Sequence, residues 1–65
     1  MEIRVNGTPM QIDPQATLED LLKRLNVQRK FTAIEYNGNL FDGEPAECAL
    51  RDGDRLEIVR FVGGG

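Results

Sequence analysis

Arg55-Leu56-Glu57-Ile58-Val59-Arg60-Phe61-Val62 runs without a break into Gly63-Gly64-Gly65. The first eight residues are rich in β-branched and apolar side chains and predict a strand. Within it Leu56 and Ile58 face a core, while Val59 and Phe61 point the other way and form a set too apolar for a face that only meets water. The glycines have no Cβ and lose more backbone entropy on ordering than other residues. They are therefore expected to form a flexible, extended tail of roughly 10 Å, at about 3.3–3.6 Å per residue, thin enough to enter a narrow channel in a partner. The alternative is a frayed terminus, the common fate of chain ends.

Around this stretch the whole chain counts 65 residues and a net charge of −3. A domain of this size buries only about 60% of its unfolded surface, which leaves room for one small core and little for a deep enclosed active site. The eight Lys and Arg are scattered. Arg29-Lys30 is the nearest thing to a basic cluster and is too short to track phosphates, so nucleic acid is not an expected partner. No apolar run approaches the roughly 20 residues that span a bilayer, and Met1-Glu2-Ile3-Arg4 does not resemble a signal peptide. Cys48 is the single cysteine, so no internal disulfide is available and a cytoplasmic location is expected. The absence of His removes the commonest general base and metal ligand together.

The N-terminal half supplies the rest of the scaffold. Met1, Ile3 and Val5 alternate with polar residues at the period of a half-buried strand. Asn6-Gly7 suits a tight primed turn, in which both central residues take positive φ. Met10 and Ile12 continue the alternation beyond Pro9, whose missing N–H predicts an edge strand. Thr17 then predicts a helix N-cap, with Asp20 answering from the third helical position as a capping box. Leu18, Leu21, Leu22 and Leu25 make one apolar stripe. Glu19 and Asp20 in the first turn and Lys23 and Arg24 in the last suit the helix dipole, and Asn26 suits a left-handed residue after the helix.

Beyond a polar connection, a third strand is expected from Phe31 to Tyr36, with Thr32, Ile34 and Tyr36 on one face and Ala33 and Glu35 on the other. Asn37-Gly38 predicts a second tight turn into Asn39-Leu40-Phe41. Asp42-Gly43-Glu44-Pro45 is turn chemistry, and Ala46 to Leu50 suits a single helical turn. Cys48 reads as a small apolar filler, since no basic neighbour in sequence lowers its pKa. Arg51-Asp52-Gly53-Asp54 reads as a turn, because the spaced ligand series of a calcium loop is missing.

A hairpin, a helix, short strands and a final strand that can lie parallel to the first describe an α+β chain. The expected architecture is a β-grasp (ubiquitin-like) fold, a mixed sheet of four to five strands on one main helix. The expected domain is 1–62, followed by the flexible glycine tail 63–65. The expected core is Ile3, Val5, Ile12, Leu18, Leu21, Leu22, Leu25, Ile34, Leu56 and Ile58.

In this order of elements the chain resembles the ThiS family of sulfur carriers, ubiquitin-like proteins that serve thiazole synthesis for thiamine. The resemblance runs end to end. It rests on Asn6-Gly7, on Thr17-Leu18 with Leu21-Leu22, on Tyr36-Asn37-Gly38, and above all on Asp52 to Ile58 leading to Phe61-Val62-Gly63-Gly64-Gly65. Leu40 to Pro45 departs from the Ile-Val-Pro-Arg-like segment of many members, in a region placed to shape partner choice.

The resemblance implies a carrier and not an enzyme. A ThiF-like adenylating enzyme would use ATP and Mg²⁺ to activate the carboxylate of Gly65, sulfur would replace the adenylate, and the thiocarboxylate would pass its sulfur to a thiazole synthase (ThiG-like). The chain itself would bind no cofactor and no metal. Gly63 and Gly64 would thread into the partner. The residues for docking are sought on the sheet face away from the helix: Ala33, Glu35, Val59 and Phe61, with Arg60 near the root of the tail. Three other readings share the fold: a carrier serving molybdopterin or tRNA thiolation, a ubiquitin-type modifier of lysines, and an interaction module with no chemistry at its terminus.

Overall fold

In the computed structural model, residues 1–61 are described. The expected boundary between domain and tail at residue 62 lies outside them. Strands β1 (Glu2–Val5) and β2 (Thr8–Gln11) form a hairpin, followed by helix α1 (Leu18–Arg24). Then come a 3₁₀ turn (Arg29–Phe31), β3 (Thr32–Tyr36), β4 (Asn39–Leu40), a second 3₁₀ turn (Pro45–Glu47) and β5 (Arg55–Arg60). The sheet order is β2-β1-β5-β3-β4. Among the described residues only β1 and β5, with Val5 beside Leu56, pair in parallel, while the three other strand pairings are antiparallel. This is the mixed sheet on one helix that the order of elements predicts, and β2 with its Pro9 is indeed an edge.

Local chemistry accounts for each joint. Asn6 and Gly7 take φ of 51° and 81°, and Asn37 and Gly38 take 49° and 87°, the left-handed pair that a primed turn requires. Thr17 Oγ1 accepts from Asp20 N–H at 3.2 Å, and the Asp20 carboxylate accepts from Thr17 N–H at 2.9 Å, completing the capping box. The hydrogen bond from Thr17 N–H holds the Asp20 carboxyl below its ordinary pKa. Asn26, with φ of 57°, turns the chain out of the helix.

The core comprises Ile3, Val5, Leu18, Leu21, Leu22, Ile34, Leu56 and Ile58, as expected, with Leu50 completing the cluster. Ile12 and Leu25 are corrections. Both pack against this cluster half-buried, because Ile12 lies past the end of the edge strand and Leu25 is the C-cap of the helix. Ala16 and Leu50 are buried in their place. The backbone binds these two segments together: Leu50 N–H donates to Ala16 O at 3.0 Å and Leu18 N–H to Cys48 O at 2.8 Å.

Two further boundaries differ from expectation. Phe31 belongs to the 3₁₀ turn and not to β3. The helical turn expected at Ala46–Leu50 forms at Pro45–Glu47, where proline's fixed φ suits the first position, and Ala49 is extended and bridges Thr17. No helix among the described residues is long and apolar enough to cross a membrane.

Candidate docking face

Alternation along the strands sorts their side chains between a helix-covered face and an open one. Because β3 pairs with β5 through Ala33↔Val59 and Glu35↔Glu57, and β3 with β4 through Glu35↔Leu40, these five residues share the open face. Arg4 and Arg55, adjacent in the parallel pairing, continue it toward β1. Val59 is 57% exposed and Leu40 is 72% exposed, so two apolar side chains stand uncovered beside charged neighbours. Exposed apolar side chains rimmed by charge make this face a candidate interaction surface. Ala33 is half-buried and Glu35 exposed.

Of the five proposed docking residues, the structure brings Ala33, Glu35 and Val59 together. Phe61, 60% exposed, lies beyond the end of β5 and helps line a groove of about 370 Å³ with Val27, Phe31, Thr32 and Arg60. Its N–H donates to Phe31 O at 2.9 Å, which ties Phe61 to the 3₁₀ turn before β3. Arg60 sits at the end of β5 but not on the open face. It pairs across the ladder with the buried Thr32, and its guanidinium donates to Leu25 O at 3.2 Å. It therefore points to the helix side, where it satisfies a carbonyl at the end of α1 and suits the negative end of the dipole. Gly63, Gly64 and Gly65 lie outside the described residues.

Leu40, Glu57 and Phe31 belong to the exposed surface but escaped the strand-by-strand reading. The signal for Leu40 was present: a two-residue turn at Asn37-Gly38 forces Leu40 opposite Glu35. Phe31, 55% exposed with the Lys30 ammonium 5.0 Å from its ring centre, carries no such sequence signal.

Asp54 has a second, structural role that a turn reading does not reveal. Its carboxylate, on a residue only 6% exposed, accepts from Tyr36 Oη–H at 2.5 Å, Asn37 Nδ2–H at 3.1 Å and Arg51 N–H at 2.7 Å. Burial opposes its charge, but these three hydrogen bonds and the Arg51 charge outweigh burial and hold its pKa below the usual value. Burial, joined by the Asp54 bond and charge, pushes the Tyr36 hydroxyl up to about 12. Burial also raises the Cys48 thiol, so it stays protonated and is a poor nucleophile. Asn37 Oδ1 in turn accepts from Arg55 N–H at 2.8 Å, so the cluster locks the start of β5 against the end of β3. Asn6 does the same at the other side: its amide accepts from Ile58 N–H at 2.7 Å and donates to Ile58 O at 3.1 Å, extending the β1–β5 ladder beyond the end of β1. These clamps set the register on which the open face depends. Among the described residues no group of three or more His, Cys, Asp or Glu is placed to hold a metal ion.

Comparison with known proteins agrees with this geometry. The sequence profile of the ThiS family matches residues 3–65. The sulfur carrier protein ThiS of Thermus thermophilus is 36% identical over 62 residues, covering 94% of this chain and 95% of the relative. Thiazole synthase of Paramagnetospirillum magneticum is 38% identical across the whole chain, which spans only 20% of that protein's length, and the same share holds for the thiazole synthase of Magnetococcus marinus. The crystal structure of the thiamine biosynthesis protein ThiS from Geobacter metallireducens superposes with a TM-score of 0.80 at 33% identity, covering all of both chains. The sheet order and a family match that takes in nearly every residue lead to one conclusion: the chain belongs to the ThiS family.

Proposed function

We propose that this protein carries sulfur for thiazole formation in thiamine synthesis, as a substrate passed between enzymes and not as a catalyst. The observation that carries the reading is the match to the ThiS family up to the last glycine, on a fold whose β5 leads toward those glycines past an exposed apolar face. The likeness of the whole chain to a stretch of two thiazole synthases favours that class of enzyme as sulfur acceptor.

The chemistry follows from the poor electrophilicity of a carboxylate. A ThiF-like partner, holding ATP and Mg²⁺, would join the Gly65 carboxylate to AMP with release of pyrophosphate. A sulfide-level nucleophile would then attack the acyl carbon, the new C–S bond replacing the C–O bond to AMP, and leave a thiocarboxylate on Gly65 with AMP released. Gly63 and Gly64, without side chains, would let the acyl carbon be held in line with its attacking atom, and such positioning accounts for much of the rate of group transfer. The open face and the Phe61 end of the sheet would dock the carrier.

The test is the intact mass of the chain after incubation with a ThiF-type enzyme, ATP, Mg²⁺ and a sulfur donor. The expected product has one oxygen exchanged for sulfur, and adding a thiazole synthase with its other substrates returns the original mass. An unchanged mass at the first step refutes the carrier role. Sulfur that is loaded but not discharged by a thiazole synthase refutes the pathway.

A further inference from the structure

Strand β4 has only two residues and lies at the edge of the sheet, yet it carries Leu40, the most exposed large apolar side chain among the described residues. An edge strand paired only through Glu35↔Leu40 and Tyr36↔Asn39 is too short to resist fraying by itself. Phe41, the next residue, supplies what the strand lacks. Its N–H donates to Ile34 O at 2.8 Å, and its O accepts from Arg29 Nη2–H at 2.8 Å. Its ring stands edge-on to Tyr36, with centroids 6.5 Å apart, and its centre lies 5.6 Å from the Arg29 guanidinium. Arg29 Nη1–H donates at the same time to Thr32 O at 3.2 Å. One guanidinium thus ties the first residue of β3 to the residue that follows β4. The Asn37-Gly38 turn holds Leu40 from the other side.

We propose that Arg29 is a positioning residue for docking: it holds Leu40 where the open face meets a thiazole synthase. This rests on the carrier reading above, in which the likeness of the whole chain to a stretch of two thiazole synthases favours that class of acceptor. Leu40 shares the open face with Ala33 and Val59 and extends its apolar part to the edge of the sheet. An apolar anchor adds most to affinity when its place is set before the partner arrives, because ordering it on binding opposes the gain from contact. Ordering the backbone of one freed residue on docking corresponds to about a five- to thirtyfold loss of affinity. Arginine suits this part because donors in one rigid plane reach two carbonyls at once, which an ammonium on a flexible stem does not reproduce. Arg29 is half-buried, and Nη1 and Nη2 both point to carbonyls of its own chain. It therefore acts through Leu40 and not by touching the partner.

The experiment measures thiazole formation by a thiazole synthase of the same organism, supplied with its other substrates, with the sulfur-loaded carrier as varied substrate and well below the melting temperature. The variants are R29M, R29K, L40A, the double variant R29M/L40A, and T17A, which lowers stability by breaking the helix capping box. R29M and L40A are each expected to raise the KM for the carrier about fivefold or more with kcat nearly unchanged. The double variant should be no worse than the poorer single one, because the two residues act as one unit. R29K, which keeps the charge and loses the fork, should stay close to R29M, and T17A should keep the parent KM. Amide exchange at Phe41 should quicken more in R29M than in T17A. A KM within about twofold of the parent for R29M or L40A overturns the proposal, and so does a double variant whose effect is the product of the two single ones. An equal rise in T17A would assign the loss to stability, and full recovery in R29K would assign it to charge; either overturns it too. Failure of the parent chain to be loaded with sulfur, or to be discharged by the synthase, is a separate result: it refutes the carrier reading, and this role of Arg29 with it.

Discussion

Replacing Asp54 with Asn tests the clamp that holds β3, the Asn37 turn and the start of β5 together. One carboxylate oxygen accepts from both Tyr36 Oη–H and Arg51 N–H, and the other accepts from Asn37 Nδ2–H. An asparagine can place its carbonyl on the first side and keep those two bonds without their charge. Its amide then turns a donor toward the donor of Asn37, and Asn37 cannot flip without losing Arg55 N–H. One bond is thus lost and two are weakened. Hydrogen bonds to charged groups contribute about 1.5–3 kcal/mol against about 1 kcal/mol for neutral ones, so Asp54→Asn should cost about 2–4 kcal/mol. A chain of this length has about 3–10 kcal/mol in all, and the loss is a large share of it.

Urea unfolding followed by circular dichroism, at pH 7 and stepwise down to pH 3, measures the effect. The pKa of Asp54 is lowered in the fold, so the unfolded chain takes up the proton first as pH falls. The carboxylate's contribution is therefore complete above the unfolded value of about 3.9 and is lost as pH falls through the folded one. The gap between parent and variant should be widest near neutrality and narrow at the acid end. A gap below about 0.5 kcal/mol at pH 7, the size of an ordinary surface change, would refute the reasoning. A gap that stays constant to pH 3 would show that the charge is not what matters.

Other outcomes follow from the same structure. Asn6→Ala removes both side-chain bonds to Ile58 and puts a β-carbon without local hydrogen bonding at a φ of 51°; thermal melting should show a loss of about 2–4 kcal/mol, and a loss below 1 kcal/mol would deny the ladder extension. Leu22→Ala, in the buried stripe of α1, should cost about 2–5 kcal/mol in chemical denaturation, and a near-neutral result would place Leu22 outside the core. Thr17→Ala breaks the capping box and should cost about 1 kcal/mol, read from the urea midpoint at unchanged m-value. Phe61→Ala should leave the melting temperature within about 2 °C, since its ring is mostly exposed, while weakening binding to the adenylating partner; a large drop in melting temperature with unaltered binding would make Phe61 a structural residue.

Much of this architecture could be read from local pattern. Asn6-Gly7 and Asn37-Gly38 announce their turns because few other residue pairs accept two left-handed conformations in succession. Thr17 and Asp20 announce the helix start, and the leucine stripe announces its buried side, because both depend on neighbours within one or two turns of chain. The element order allowed the parallel pairing of β1 with β5 that the structure shows, and the glycine run with the family resemblance pointed to a carrier.

Tertiary structure decided what depends on contacts between residues far apart in the chain. Asp54 looks like any turn aspartate until Tyr36 and Asn37, 18 and 17 positions away, fold onto it. Arg60 looks like a companion of Val59 until its guanidinium is found on Leu25 O, 35 positions back. Alternation says on which side of a strand a residue lies, but not which residue of another strand stands beside it. The pairing of Glu35 with Glu57 comes from long-range register, set by the Asn6 and Asp54 clamps, and no stretch of sequence read by itself contains it.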